Sequence, residues 1–295
     1  MTTDTPWEAG RFDRKAGPKR LLFGRMYEDP AIERRVFRPG GRAFCIASAG
    51  STARALAPDH EVVAVDINPV QLGYAQRRIE GAPAEVGSAE RVMGALRTLL
   101  PLAGWRRATV EAFLDLDDPD EQIAFWKSRL DTWRFRTGFD AGLSITGLGA
   151  VYASPFLRVL PPHFGRVLRG RMERCFALHP NRTNPYARAL LLGEVEETGE
   201  ARPGAVELMH ADAAGYLETC PAGAFDGFSL SNILDGAPDE YRDRLFAAVR
   251  RAGAAGSVAV LRTFGEPAAP STTNLAAQDR SMLWGGVDVR SVAEL

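Results

Sequence analysis

Six residues sit where a nucleoside pocket would need them. Ser48 and Gly50 lie in a short turn after the apolar run 43–46. Asp66 ends a second apolar run, 62–65, and leads into Asn68-Pro69. Asp212 closes a third run that starts at Val206, and Asn232 follows a fourth that starts at Phe225. An acid at a strand tip accepts two hydrogen bonds from a ribose diol, and a glycine in the first turn lets a ligand approach the backbone. A second acid suits the amino group of adenine. Asn232 would then face the reacting end of the bound molecule. The competing role for Asp66 and Asp212 is a helix cap, where Asp is common.

The elements that must position these residues alternate. Strand, turn, helix and second strand follow one another over residues 43–66, and the pattern resumes at Val206. Ligands in open α/β sheets bind outside the carboxyl ends of strands, where all six residues fall. The expected fold is α/β, a class I S-adenosylmethionine-dependent methyltransferase-like (Rossmann-like) sheet, with S-adenosylmethionine as co-substrate. The first turn lacks the G-x-G-x-x-G series, so a dinucleotide oxidoreductase fits less well. Asp29 is placed to cap a helix that Pro30 opens, and Asn68-Pro69 starts another with Leu72, Ala75 and Ile79 on one face.

Between about residues 85 and 200 the alternation stops. Val92, Leu96, Leu99 and Leu100, and then Phe125, Trp126, Leu130 and Trp133, recur at helical spacing. The division expected is a helical N-terminal segment (1–42), a first part of the α/β domain (43–84), a helical insertion or cap (85–200) and a second part of the α/β domain (201–295). The insertion is expected to cover the site and supply an acceptor pocket, with Phe113, Phe125, Trp126 and Trp133 mostly in its core. An antiparallel hairpin over Ser281–Val292 is expected to finish the sheet.

A net charge of −1 gives no bias toward nucleic acid. Cys45, Cys175 and Cys220 follow no metal or disulfide spacing, so no metal is expected and a reducing cytoplasm is the default. No apolar run approaches the ~18 residues of a membrane span. The N-terminus is polar, unlike a signal peptide. Arg11, Arg14, Lys15, Lys19 and Arg20, beside Leu21-Leu22-Phe23, would suit peripheral contact with an anionic membrane. An ordinary basic tail leading into a buried helix accounts for them equally well. Oligomeric state is not legible.

Several pieces carry a resemblance. Met26-Tyr27-Glu28-Asp29-Pro30, Ala47-Ser48-Ala49-Gly50, Val65-Asp66-Ile67-Asn68-Pro69-Val70-Gln71, Asn184-Pro185-Tyr186, Ser229-Leu230-Ser231-Asn232-Ile233 and Asp279-Arg280-Ser281 occur in this order. Together they resemble the betaine-lipid synthesis enzymes of the BtaA type, S-adenosylmethionine:diacylglycerol 3-amino-3-carboxypropyltransferases. The resemblance implies transfer of the 3-amino-3-carboxypropyl group to a hydroxyl, with diacylglycerol or another small or lipid molecule as acceptor, and release of methylthioadenosine. Such chemistry needs an arginine fork for the carboxylate of the amino-acid arm. Arg188 is favoured for that role, with Arg134 and Arg136 as alternatives, and Tyr186 and Asn232 are placed beside it at the reacting end. Glu28 and Asp29 are candidates for the ammonium. His163, His210, Tyr186 and Asp235 are candidates for the base. A small-molecule methyltransferase, which would release S-adenosylhomocysteine, and a non-catalytic nucleoside-binding module remain as alternatives.

Overall fold

Five apolar runs pair in parallel and a sixth closes the sheet antiparallel. The computed structural model describes residues 9–11, 17–149, 157–194, 206–267 and 272–295. The strands are β1 (Arg42–Ile46), β2 (Glu61–Asp66), β3 (Val206–His210), β4 (Phe225–Ser229), β5 (Gly253–Thr263) and β6 (Gly286–Ser291), in the order β3-β2-β1-β4-β5-β6. This is the expected class I methyltransferase-like sheet, and its antiparallel last strand sets it apart from an all-parallel dinucleotide fold.

Both faces of the sheet are covered, which explains why β1 and β2 read as unbroken apolar runs. Side chains alternate between faces with a period of two. Phe44, Val63 and Val65 pack on one face against Leu217, Leu245 and Val249. Ala43, Cys45, Val62 and Ala64 pack on the other against Leu56 and Ala75. The register Ile46↔Val65 and Cys45↔Ser229 brings the exits of β1, β2 and β4 level with one another. The turn at Ser48, the carboxylate of Asp66 and the loop at Ser231 therefore meet at one edge.

The helices between the strands are α1 (Ala31–Val36), α2 (Ser51–Leu56) and α3 (Pro69–Ile79). Then follow α4 (Ser88–Arg97), α5 (Arg107–Leu114), α6 (Pro119–Phe125), α7 (Trp133–Gly142), α8 (Ile145–Gly149), α9 (Phe164–Leu178) and α10 (Pro185–Leu191), before β3 begins. The helices α11 (Ala213–Thr219) and α12 (Asp239–Ala252) complete the domain. Asp29 accepts from the Ala31 amide at the start of α1, and Asn68 caps α3 by accepting from the Val70 amide.

The segment from α4 to α10 has its own aromatic core. Trp105 stacks on Phe135 at 4.2 Å, and Phe113 meets Phe176 edge-on at 4.8 Å. Phe113 and Trp126 are fully buried there. Trp133 departs from expectation. It stands 71% exposed in the first turn of α7, with the Arg134 guanidinium over its ring at 5.6 Å. Arg171 on α9 ties this segment to the sheet, donating to the Phe264 carbonyl (2.8 Å) and to Glu266 (2.6 Å) just beyond β5.

The hairpin expected over Ser281–Val292 is a single strand, β6, paired with β5. Its outer neighbour is only a bridge, Asn274↔Asp288. The Asn274 side chain explains this. It accepts from the Val287 and Ala276 amides and donates to the Gly285 carbonyl, so it pins a turn where a regular strand would run.

Candidate functional site

A cleft opens where β1, β2 and β4 end. Ser48, Asp66, Ile67, Asn68, Asp212 and Asn232 line it, with Tyr241 and Ile233 as its apolar sides. Asp66 is held by two backbone amides, Ser48 at 3.0 Å and Asn68 at 2.8 Å. Each carboxylate oxygen keeps a lone pair for a further donor. Burial pushes Asp66 up to about 7, against the pull of those amides and of Lys19. Asp212 both caps α11, accepting from the Gly215 amide (2.8 Å), and accepts from the Tyr241 hydroxyl (2.6 Å) inside the cleft. Asn232 is steadied by Asp235 (3.3 Å), which in turn is fixed by the Thr263 hydroxyl (2.6 Å) and the Phe264 amide (3.0 Å). Asp235 is therefore a support for Asn232, not a group facing the cleft.

Two expectations about the first turn change. Gly50 is absent from the cleft wall. Its φ of +79° caps α2, a left-handed conformation that glycine adopts without strain, so the turn itself accounts for the glycine. The residue that lines the cleft is Ser48, itself left-handed at φ 42°, and Ser231 on the β4 exit is left-handed too at φ 51°. Two non-glycine residues in that region, both lining one cleft, are strain of the kind that clusters at binding sites. Asn68 lines the cleft, yet its amide is spent on capping α3 and on the Arg20 carbonyl (2.8 Å).

Gln71 joins the N-terminal segment to this edge. Its oxygen accepts from the Leu22 and Phe23 amides, and its nitrogen donates to the Phe23 carbonyl (2.8 Å) and the Ser48 carbonyl (2.9 Å). Leu22 and Phe23 thereby become cleft wall. Lys19 is likewise engaged, donating to the Ile67 carbonyl at 3.3 Å. Arg14 and Lys15 lie outside the described residues.

Beyond Ser48, Ser231 and Asn232 a second, apolar cavity of about 550 Å³ begins. Phe264 and Trp284 wall it from the sheet, and Leu96, Phe135, Phe139 and Leu168 from the helices. Leu99 and Leu102 line it and are also exposed, Leu102 at 76%, so they mark its mouth. Glu28 sits at the junction of cavity and cleft. One of its oxygens accepts from the Ser231 hydroxyl; the other is buried with no hydrogen-bond partner, 3.6 Å from Arg262.

Within this buried cluster Glu28 is the acid least held by a cation. Arg262, fully buried, grips Glu33 and Asp279 and reaches the Asp29 carbonyl. Arg280 pairs with Asp29. Two cations face four acids, and Glu28 has the weakest grip on either. Burial pushes it up to about 7, with Arg262 and Ser231 pulling down.

The remaining candidates fall elsewhere. Arg188 lines neither cavity. It is ion-paired with Asp115 (2.6 Å) and Glu194 (3.4 Å), which removes it as carboxylate anchor. Tyr186 is also outside both, its ring under the Arg280 guanidinium at 5.9 Å and its hydroxyl pushed well up by burial. Arg136 pairs with Asp131 on the surface. His163 caps α9 in a left-handed conformation, and exposed His210 bonds the Ile67 carbonyl; neither reaches the cavities. Asp29 is spent on Arg280 and α1. Arg134 does line the apolar cavity. Arg25, Tyr27 and Arg97 line it as well, and nothing in their local spacing marks them.

No family model matches the chain, and no curated protein matches it. Two solved structures are similar at 12% identity and a TM-score of 0.34. One is Haemonchus contortus phosphoethanolamine N-methyltransferase 2 in complex with phosphomonomethylethanolamine and S-adenosylhomocysteine, matched over 82% of this chain and 29% of its own. The chain thus spans under a third of that protein's length. The other is the rRNA methyltransferase AviRa from Streptomyces viridochromogenes, matched over 88% of this chain and 82% of its own. The fold assignment rests on the strand order itself.

Proposed function

We propose that the protein is an S-adenosylmethionine-dependent transferase that moves the 3-amino-3-carboxypropyl group to a hydroxyl of an amphiphilic acceptor such as diacylglycerol. The observation that carries this reading is the apolar cavity opening directly off the strand-end cleft, with one carboxyl, Glu28, at the junction. Asp66 would hold the ribose, and Asp212 with Tyr241 the adenine. Acyl chains would enter past Leu99 and Leu102 and fill the cavity. Among the described residues no helix is long and apolar enough to cross a membrane, so a lipid would have to be drawn in from a surface.

The sulfonium makes the carbons attached to it electrophilic. Which one reacts is a matter of position, since attack needs in-line approach within ~3–3.5 Å. In the reaction proposed, the acceptor oxygen bonds to Cγ of the methionine arm as the Cγ–S bond breaks. The electron pair returns to sulfur, methylthioadenosine leaves, and the hydroxyl proton passes to Glu28. The apolar walls would keep water from competing for the same carbon.

Incubation with S-adenosylmethionine and diacylglycerol in vesicles, followed by mass spectrometry of the nucleoside, tests the reading. Methylthioadenosine supports it. S-Adenosylhomocysteine would replace it with the methyltransferase alternative, and donor binding without turnover would leave a binding module.

Asp66→Ala is expected to weaken nucleoside affinity by about 1–3 kcal/mol, the cost of losing hydrogen bonds to a charged group. Ribose hydroxyls favour the ionised carboxylate. Because burial holds Asp66 near 7, wild-type affinity should rise with pH through that value. Calorimetry across pH checks both. Equal affinity in a folded Asp66→Ala protein would leave Asp66 as a turn support only.

A further inference from the structure

An apolar cavity is a costly place for two guanidinium groups unless an anion joins them. Arg25 and Arg97 both line this one. Their visible acceptors are neutral carbonyls near the end of α10: Arg25 donates to the Glu194 carbonyl at 2.9 Å and Arg97 to the Leu190 carbonyl at 3.1 Å. The Arg25 Nε is buried without a partner, and so is the hydroxyl of Tyr27 beside it. Tyr27 is 93% buried and burial pushes it up to about 12, so it stays a donor at any working pH. Glu90 is the buried acid that acts on this group; one of its oxygens accepts from the Gly24 and Gly87 amides, and the other has no hydrogen-bond partner. The Glu194 carboxylate is engaged by Arg107 and Arg188. Burial lowers Arg97, and Arg25 lowers it as well, while Tyr27 and Glu90 pull the other way.

We propose that Arg25, Arg97 and Tyr27 form an anion-binding site in the wall of the cavity, and that it takes the carboxylate of the donor's amino-acid arm. The inference rests on the transferase reading above and supplies the anchor which Arg188 does not. Position supports it. Phe23 lines both cavities and is tied beside Ser48 through Gln71. Arg25 lies two residues on, about 7 Å of extended chain. That is within the reach of a methionine arm whose sulfur sits over the β1 turn. A carboxylate drawn there would turn the arm out of the nucleoside cleft and into the acceptor cavity. This is the rotation that exposes Cγ, in place of the methyl, to a hydroxyl near Glu28.

The anion chemistry has a second source, the phosphate of a lipid head group, and the test separates the two. Calorimetry would compare S-adenosylhomocysteine, which carries the carboxylate, with methylthioadenosine, which lacks the amino-acid arm, and with lysophosphatidate. Arg25→Met and Arg97→Met are each expected to weaken S-adenosylhomocysteine by about tenfold or more, as for a lost charge-assisted hydrogen bond. Methylthioadenosine should stay within about twofold, because no contact to the ribose or base is touched. Tyr27→Phe keeps the buried ring and removes only the hydroxyl; it should give a smaller loss of the same kind, and covers the case in which an arginine variant fails to fold. Unchanged S-adenosylhomocysteine binding with lost lysophosphatidate binding would overturn the carboxylate assignment in favour of a phosphate. Unchanged binding of both overturns the anion site altogether. If neither nucleoside binds the wild type, the transferase reading falls, and the lysophosphatidate arm still decides whether the site takes an anion.

Discussion

Glu28→Gln is expected to lower the rate of transfer by about 10²–10⁴-fold while leaving donor affinity unchanged, the range typical of losing a general base. The carboxyl lines the acceptor cavity, and one buried oxygen has no hydrogen-bond partner. Its proton affinity, pushed up to about 7 by burial, is matched to taking a proton near neutrality. A base works only when ionised, so wild-type turnover should rise with pH through about 7 and then level, and the glutamine variant should lack that limb. The stability consequence runs the other way. Folding raises Glu28 from the ordinary 4.5, so the native protein binds more protons than the unfolded chain between 4.5 and about 7. Its contribution to stability therefore falls as pH rises across that window. Glu28→Gln should flatten that slope without unfolding the protein. Full activity in Glu28→Gln would show that Glu28 only packs against Ser231, and the base would have to be sought elsewhere in the cavity.

The largest expected effect on stability is at Arg262. Arg262→Met should destabilise the fold by about 3–5 kcal/mol, read as a shift in the urea midpoint. The guanidinium is fully buried and donates to Glu33 (3.0 Å), Asp279 (3.1 Å) and the Asp29 carbonyl (3.1 Å). Methionine fills similar volume but strands two buried carboxylates, and those would be driven to take up protons. The loss should be smaller at low pH, where the carboxylates are neutral in both variants. Glu33 also holds the Ser229 hydroxyl (2.7 Å) at the end of β4, so a folded Arg262→Met protein should bind nucleoside less tightly as well. A variant as stable as wild type at neutral pH would mean that the cluster is far better hydrated than its burial indicates.

Local pattern carried much of the reading. The unbroken apolar runs of β1 and β2 could only be strands covered on both faces. Asp66-x-Asn68-Pro69 announced both the strand tip and the helix cap, because both are decided by atoms within four residues. The helical periodicity after residue 85 marked where strands stop. Even so, Trp133 shows that periodicity assigns a face and not its partner: Trp126 on the same stretch is buried and Trp133 is in solvent. Arg188 makes the same point for charge. Its place just after Asn184-Pro185-Tyr186 favoured it as the carboxylate anchor, but packing turned it toward Asp115.

The sequence by itself determined the strand–turn–helix units, the acids at their tips and the fold class, since each depends on short-range sterics and on a hydrophobic period. Only the tertiary structure decided which charged groups meet. Glu28 finds Ser231 across 203 residues, and Glu33 finds Arg262 across 229. The Arg25–Arg97 pair likewise joins a segment before the sheet to a helix after β2. The chemistry of those groups depends on desolvation and on the charges that surround them in space. Both are properties of the packed chain, which no spacing along it encodes.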